Sequence, residues 1–407
     1  RLLTAVVRER GDYPLLIRAR NDFGTAEKRL TLKIGEKIAL TPPLGWTSWN
    51  AYTQDVNRER IEASARAIVE SGLAAHGYSY VNIDSSWQGE RDEKTKALQP
   101  NEKFPDMGGL VARIHGRGLK AGIYSTPMVI AWGSDESRLY RGGTGYPLDP
   151  ADYHDYFGGC GKVGYEQADA AQFAAWGFDW LKYDWPTTDV VHSQRMREAL
   201  DATGRDIVLQ LCTQCKVKDA AEYAKVSSLV RGTPDTKDEW SYLLKGEPPR
   251  ALFKGADDWL DHVRPGFWYD LDMLALGTMR CWRTEHAAKP GEPPPASFSN
   301  CLTRIERESH FAWWAIIPSP LFLSCDVTCL DDETRRLVTN EELLEINQDY
   351  PAVPATFDDF ANGTRRIWKR TLSDGRRVLG FFNLGDSAWP VRHPLDGRFA
   401  VRDVLRR

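Results

Sequence analysis

From Leu44 onward the chain repeats one unit eight times: a short apolar run, a loop, and a stretch with helical periodicity. The strand-like runs are Leu44–Trp49, Tyr78–Asp84, Lys120–Ser125, Trp180–Asp184, Ile207–Leu211, Ser228–Gly232, Phe267–Asp272 and Leu321–Cys325. The helical patterns are Arg58–Ser71, Gly108–His115, Gln167–Trp176, Ser193–Ala202, Ala220–Lys225, Asp238–Lys245, Ile305–Trp314 and Asp332–Glu341. Alternation of this kind over about 300 residues predicts an α/β architecture, a (β/α)8 TIM barrel. Runs such as Val81-Asn82-Ile83 are too apolar for a sheet with one wet face and suit buried parallel strands. An open doubly wound sheet is the alternative. It would require a glycine-rich nucleotide turn after an early strand, and the sequence has none.

Before the barrel, Leu15, Ile17 and Ala19 would share one strand face. The Asn21-Asp22-Phe23-Gly24 turn leads to Leu30, Leu32 and Ile34. Gly11-Asp12-Tyr13 matches the approach to the tyrosine corner of immunoglobulin-like modules. Two or three strands bury no core alone, so residues 1–37 are expected to be a partial immunoglobulin-like β segment with its linker. Residue 1 is Arg and no signal-peptide pattern follows, so the chain is expected to begin mid-sequence. The catalytic barrel is expected over 38–345. Alternation then returns at Thr364–Leu372, Arg377–Phe382, Ala388–His393 and Phe399–Val404. Residues 346–407 therefore read as a C-terminal antiparallel β domain, which could be cut short at Arg407.

Composition narrows the function classes. A net charge of −4 with no basic run gives nucleic acid no electrostatic foothold. No apolar stretch reaches the length of a membrane span; the longest patch, Phe311 to Pro318, reads as a buried helix. Seven cysteines cannot all pair with one another, and the eight histidines form no HExxH or HxxxH. Cys212-x-x-Cys215 and Cys325 with Cys329 are therefore expected to be buried thiols rather than zinc or redox sites.

In a barrel of this kind the chemistry sits at the carboxyl ends of the strands. Those ends carry Trp49, Asp84, Tyr124, Lys182 with Asp184, Cys212, Arg231 with Asp235, and Asp270 with Asp272. One aspartate after a strand is commonly a helix cap or turn former, but carboxylates at four of eight ends suit glycosyl transfer or a divalent metal. Glycosyl transfer needs an ionised carboxylate at the anomeric carbon and a protonated one at the leaving oxygen, about 5–5.5 Å apart in retaining enzymes. Lys182, two residues before Asp184, points to the same barrel face and would favour its ionised form. A tight Arg231–Asp235 pair would lower the pKa of a group wanted as a proton donor near neutrality, so Arg231 is assigned to the sugar.

These residues also carry a resemblance. Pro43-Leu44-Gly45-Trp46-Thr47-Ser48-Trp49-Asn50, Tyr80-Val81-Asn82-Ile83-Asp84-Ser85-Ser86-Trp87 and Phe104-Pro105-Asp106-Met107-Gly108-Gly109-Leu110 resemble glycoside hydrolase family 27, the α-galactosidase family. So do Gly118-Leu119-Lys120-Ala121-Gly122-Ile123-Tyr124, Trp180-Leu181-Lys182-Tyr183-Asp184, Asp270-Leu271-Asp272-Met273-Leu274 and Ile346-Asn347-Gln348-Asp349. The resemblance runs from about Leu40 to the C-terminus in family order. It implies a retaining α-glycosidase with a C-terminal β domain, no metal or other cofactor, and a glycoside or oligosaccharide substrate. It also implies a periplasmic or secreted location. It places the nucleophile on Asp184. The acid/base falls on Asp235, in a segment where Arg231, Asp238 and Trp240 keep the family spacing and Asp238 is the local competitor. Sugar contacts would fall on Trp49, Asp84, Tyr124, Lys182, Arg231 and Asp272, with Ser85 and Cys212 beside them.

The departures bear on the glycone. The family's second aspartate after Ile83 is Ser85 here, and a neutral hydroxyl grips a sugar about half as strongly as a carboxylate. The loop after strand five reads Cys212-Thr213-Gln214-Cys215, and the expected Asn-Asp-Pro-Asp reads Tyr269-Asp270-Leu271-Asp272. Trp185-Pro186 replaces a cysteine that follows the nucleophile, leaving Cys160 without an obvious bridging partner. The expectation is an α-galactosidase-like exo-glycosidase. The alternatives are another glycone (α-N-acetylgalactosaminidase, β-L-arabinopyranosidase or isomaltodextranase activity) or a carbohydrate-binding protein that has lost catalysis. Oligomeric state is left open.

Overall fold

A computed structural model describes residues 9–128, 164–185, 188–233, 235–240, 255–280 and 298–406. Cys160, Pro186, most of the expected Asp238–Lys245 helix and the Pro290–Pro295 loop lie outside the described residues.

The chain opens with an antiparallel hairpin, β1 (Gly11–Asn21) and β2 (Gly24–Ile34), paired from Gly11↔Ile34 to Asn21↔Gly24. The two-residue turn places Gly24 at φ 146°, where a side chain is disfavoured. The Tyr13 hydroxyl donates to the Glu9 carbonyl at 2.9 Å.

The barrel follows. Its strands are β3 (Leu44–Thr47) and β4 (Tyr80–Ile83), then β7 (Lys120–Ser125), β8 (Trp180–Asp184), β9 (Val208–Cys212), β10 (Leu229–Val230), β11 (Trp268–Tyr269) and β14 (Leu321–Leu323). A small hairpin, β5 (Gln88–Arg91) with β6 (Leu98–Pro100), and a short pair, β12 (Met279–Arg280) with β13 (Phe298–Ser299), sit in the loops. The eight barrel strands form one sheet in chain order from β3 to β11, and β14 returns to pair with β3. All these pairings are parallel. The remaining seam closes just beyond β11, where the Leu274 N–H donates to the Phe322 carbonyl at 2.8 Å. This is the (β/α)8 barrel the alternation predicts.

Period-two alternation sorts each strand into an outer face under the helices and an inner face. On the inner face Tyr80, Trp180 and Phe322 meet, with ring centroids 4.9 to 6.2 Å apart. Gly45 makes room for them, because a Cβ there would lie 2.7 Å from both the Phe322 ring and Tyr80. This aromatic plug is the floor of the barrel. Residues two and four positions further along each strand form its mouth.

Helices begin on the mouth side with side-chain caps: Asn57 on Arg58–Glu70, Asp106 on Met107–His115, Asp189 on Val190–Ala202 and Thr303, with Glu306, on Arg304–Ile316. Gly109 is required beneath its cap, since a Cβ there would fall 1.9 Å from the Asp106 carboxylate. The expected helix Asp332–Glu341 is two helices, Asp332–Val338 and Glu341–Gln348. Asn340 breaks it by accepting from the Glu342 and Leu343 N–H groups. The second helix runs through the expected boundary at 345/346.

Beyond it, β15 (Thr356–Phe360), β16 (Arg365–Thr371) and β17 (Arg377–Asn383) form an antiparallel sheet. Arg366 fixes this sheet to the barrel side by a two-pronged contact with Asp257, at 2.6 and 2.8 Å. The expected strands Ala388–His393 and Phe399–Val404 carry no regular structure. Pro390, inside the first, removes a ladder donor. The expected strand Thr364–Leu372 is shorter by a residue at each end, and Thr356–Phe360, with two consecutive aspartates, was not expected as a strand.

His310, inside helix Arg304–Ile316, is buried edge-on against Trp314 and accepts from the Ala275 N–H at 3.0 Å. Burial pushes its pKa down to about 3. In the unfolded chain a histidine titrates near 6.5. Below that pH the unfolded chain takes up a proton that the folded chain refuses. Stability from this group is thus intact above about 6.5 and falls as pH drops toward 3, by up to about 1.4 kcal/mol per pH unit. In urea unfolding at pH 7 and pH 5, His310→Gln is expected to lose less stability between the two than the wild type. An equal loss in both would show that His310 does not carry this dependence.

Candidate active site

The mouth is assembled from strand ends. On β8 the alternation places Lys182 and Asp184 inward and Leu181 and Tyr183 outward. Register sets Lys182 beside Tyr124 of β7 and Asp184 beside Cys212 of β9.

On one side of Asp184 lies a nearly buried ion pair. Lys182 Nζ donates to Asp84 Oδ2 at 2.8 Å. The same oxygen accepts from the Thr47 hydroxyl at 3.2 Å, and Oδ1 accepts from the Ser85 N–H at 2.8 Å. Ser48 holds the Asp84 backbone by accepting its N–H at 3.0 Å. Lys182 also lies 5.6 Å from the centroid of the buried Tyr124 ring. Burial would pull the Lys182 ammonium down, but the carboxylates of Asp84 and Asp184 outweigh it and hold the group above its usual range.

On the other side is Arg231, which is buried. It donates from Nη1 to Asp272, and Nη2 lies 2.9 Å from Asp235 Oδ1. This second contact is an ion pair rather than an aligned hydrogen bond, and Arg231 Nε and Nη2 have no hydrogen-bond acceptor among the described residues. The expectation that Arg231 would serve the sugar instead of Asp235 thus meets a geometry in which it touches both carboxylates. Burial opposes the guanidinium charge, and among the neighbouring carboxylates Asp272 does most to sustain it.

Asp272 takes φ 80°, a conformation rarely adopted outside glycine. Four contacts fix it there. Its N–H donates to Asp270 at 2.8 Å, its carbonyl accepts from the Trp314 indole at 2.9 Å, and its carboxylate accepts from Arg231 and from the Thr236 N–H. Asp270 accepts in turn from Gln210, whose own oxygen accepts from the Trp180 indole at 3.2 Å. Hydrogen bonds therefore run from the floor to the mouth. Burial, and then the neighbouring Asp272 charge, push the Asp270 carboxyl up to about 6.

Asp184 sits between the two cations and is partly exposed. Burial raises its carboxyl above the ordinary aspartate range; Lys182 and Arg231 pull it back, while Asp235 and Asp84 push it up. Asp235 and Asp184 are thus within electrostatic reach of each other. Asp235 is the more open of the Asp235–Arg231 pair, its side chain 36% exposed against 1%. Asp238, the local competitor, is buried and accepts from the Cys301 N–H at 3.0 Å, which makes it a loop anchor.

The remaining expected residues lie on the same rim. Trp49 begins the short helix Trp49–Tyr52 after β3 and is partly exposed, while Ser85 is buried. Cys212 is a buried free thiol that burial holds well above its usual range. Cys215, Cys325 and Cys329 are also free; Cys329 is exposed, against the expectation of a buried thiol. Thr47, Ser48, Gln210 and Thr236 were not picked out from the sequence. Gln210 was legible in principle, two residues before Cys212 on the inward face of β9.

Barrel and rim together define a glycoside hydrolase, and comparison with known proteins agrees. The family model described as alpha galactosidase A matches residues 41–134 and 150–289. A probable alpha-galactosidase of Dictyostelium discoideum is 31% identical over 355 residues, spanning 85% of this chain and 78% of that protein. The crystal structure of a putative alpha-galactosidase/melibiase from Bacteroides fragilis superposes with a TM-score of 0.77 at 31% identity, covering 93% of this chain and 75% of that one. A β-L-arabinopyranosidase of Geobacillus stearothermophilus superposes with a TM-score of 0.69 at 25% identity, covering 86% and 85%. The chain belongs to glycoside hydrolase family 27, the alpha-galactosidase family.

Removing Asp272 would strand the buried Arg231 charge and release the Thr236 N–H. Asp272→Ala is expected to cost about 3–5 kcal/mol in urea unfolding, the range for breaking one side of a buried pair. A loss below about 1 kcal/mol would show that water reaches Arg231.

Proposed function

We propose that the chain is a retaining exo-α-glycosidase that releases terminal α-galactosyl groups, with Asp184 as nucleophile and Asp235 as general acid/base. One arrangement carries this: Asp184 ends strand β8 on the same inward face as Lys182, and Arg231, immediately after β10, lies 2.9 Å from Asp235. Those cations favour the anion that attack requires.

In the first step Asp184 attacks the anomeric carbon, forming an ester, while Asp235 gives its proton to the departing glycosidic oxygen as the C–O bond breaks. In the second, Asp235 takes a proton from water, the water oxygen bonds to the anomeric carbon, and the ester C–O bond breaks. Two displacements on one carbon retain its configuration. Trp49 would supply an apolar wall, and Lys182, Asp84, Arg231 and Asp272 would hold ring hydroxyls. Tyr124, Ser85 and Cys212 would complete the pocket.

Galactose is supported by the alpha-galactosidases this chain resembles. Ser85 and the Cys212-Thr213-Gln214-Cys215 loop favour a second reading, the same chemistry on another glycone, for which the arabinopyranosidase likeness is a precedent. A panel of chromogenic glycosides decides between them. Release from the α-galactoside is the expected result; release only from another glycoside would move the assignment to that sugar. Proton NMR of the first-formed product should show the α anomer. The β anomer appearing first would refute the covalent route. Asp184→Asn should lower kcat by about 10⁴-fold or more.

Because Asp184 must be ionised to attack, the pH at which activity fades on the acid side reports its proton affinity. Lys182→Met removes a charge that holds this affinity down. The acid limb of kcat/KM is expected to move to higher pH in that variant. An unmoved limb would mean that another group sets it.

A further inference from the structure

Asp184 is fixed by a strand. Asp235 is not: it stands in the loop after β10, and its side chain is more than one-third exposed. A proton donor must bring its oxygen within about 2.6–3.2 Å of the leaving oxygen, and a misplacement of about 1 Å can cost about 100-fold in rate. The loop therefore needs an anchor next to Asp235.

Thr236 is that neighbour, and it is fully buried. Its N–H donates to Asp272 and its hydroxyl donates to the Met273 carbonyl, so one residue clasps two consecutive positions of the segment after β11. Asp272 itself is immobilised by Asp270, Trp314 and Arg231. Arg231 then reaches back to Asp235. The result is a closed ring, Asp235 to Arg231 to Asp272 to Thr236, with Thr236 bonded through the chain to Asp235. An apolar side chain of the same shape would fill the space equally well. The hydroxyl adds direction.

Resting on Asp235 as the acid/base, we propose that Thr236 is a positioning residue for proton transfer: its clasp on Asp272 and Met273 sets the distance from Asp235 to the leaving oxygen. A positioning role has a signature that a packing role lacks. Loss of Thr236 is felt in proportion to how much bond cleavage needs a proton. Methyl glycosides leave as a strongly basic alkoxide and need full protonation, whereas 2,4-dinitrophenyl glycosides leave as a stable phenolate and need almost none.

The test compares kcat/KM for the methyl and 2,4-dinitrophenyl α-galactosides (or that pair for whichever glycone the chromogenic panel selects). The variants of the full chain are Thr236→Val, Thr236→Ser and Asp235→Ala. Thr236→Val keeps the N–H and the shape but removes the hydroxyl. It is expected to lose about 2- to 10-fold on the methyl glycoside, the scale of one hydrogen bond, and almost nothing on the dinitrophenyl glycoside. Thr236→Ser restores the methyl rate. Equal losses on both substrates, or no loss on the methyl glycoside, would overturn the proposal. Should Thr236→Val not fold, Thr236→Cys is read by the same ratio. Asp235→Ala separates the two levels. If it fails to discriminate between aglycones, the acid/base assignment falls, and the role of Thr236 with it. If it discriminates and Thr236→Val does not, only Thr236 is wrongly assigned.

Discussion

Arg231 carries a permanent charge into a place that water scarcely reaches, and the rim is arranged around that burden. Burying an ion costs several kcal/mol unless partners of opposite charge and good geometry surround it. Here the main partner is Asp272, itself almost unexposed, and the second is the more open Asp235. Because a guanidinium is rigid and planar, satisfying it fixes the strand β10, the segment after β11 and the intervening loop relative to one another. Lys182 and Asp84 do the same between β8 and β4. Asp184 stands between two cations that are each already committed. That commitment is why its environment is mixed, with attraction from the cations and repulsion from their partners.

The balance of charge at the mouth has a chemical consequence. Lys182 and Arg231 face Asp84, Asp184, Asp235 and Asp272, so carboxylates outnumber cations even when Asp235 carries its proton. An anionic surround suits a reaction whose transition state resembles an oxocarbenium ion. Depth matters as much as sign. The plug of Tyr80, Trp180 and Phe322 closes the barrel beneath the site, so charges above it stand on an apolar floor where their mutual effects are screened less than in water.

The sequence revealed most where periodicity decides the outcome. Inward-facing Lys182 and Asp184 follow from two-residue alternation along an apolar strand, and eight alternations leave few architectures other than a barrel. Distances across the mouth are set by loops and carry no such signature. The contact between Arg231 and Asp235 was foreseen as a hazard and assigned away. In the structure Arg231 lies within ion-pair distance of both Asp272 and Asp235. The family spacing favours Asp235 over Asp238, and Asp238 is buried with its carboxylate accepting from the Cys301 N–H. Asn340 follows Val338 and Thr339, both poor helix formers, and its side chain caps the next helix. In the C-terminal region the alternation of Ala388–His393 and Phe399–Val404 imitated strands where no ladder forms. Short alternating runs are weak signals when no neighbour enforces them.

The placement of the two proposed catalytic carboxyls answers to their different tasks. A nucleophile acts on one carbon from one direction, and the end of a strand that is paired with neighbours on both sides provides a fixed origin. The partner must first face a departing oxygen and then a water entering along the same path, so it cannot be sealed in. Asp235 meets this need by standing in a partly open loop, and an open loop has little intrinsic precision. Thr236 and Asp272 supply the missing precision from below, leaving the carboxyl's outer side to solvent. Tethering the backbone while exposing the side chain lets one residue serve both half-reactions without moving far between them.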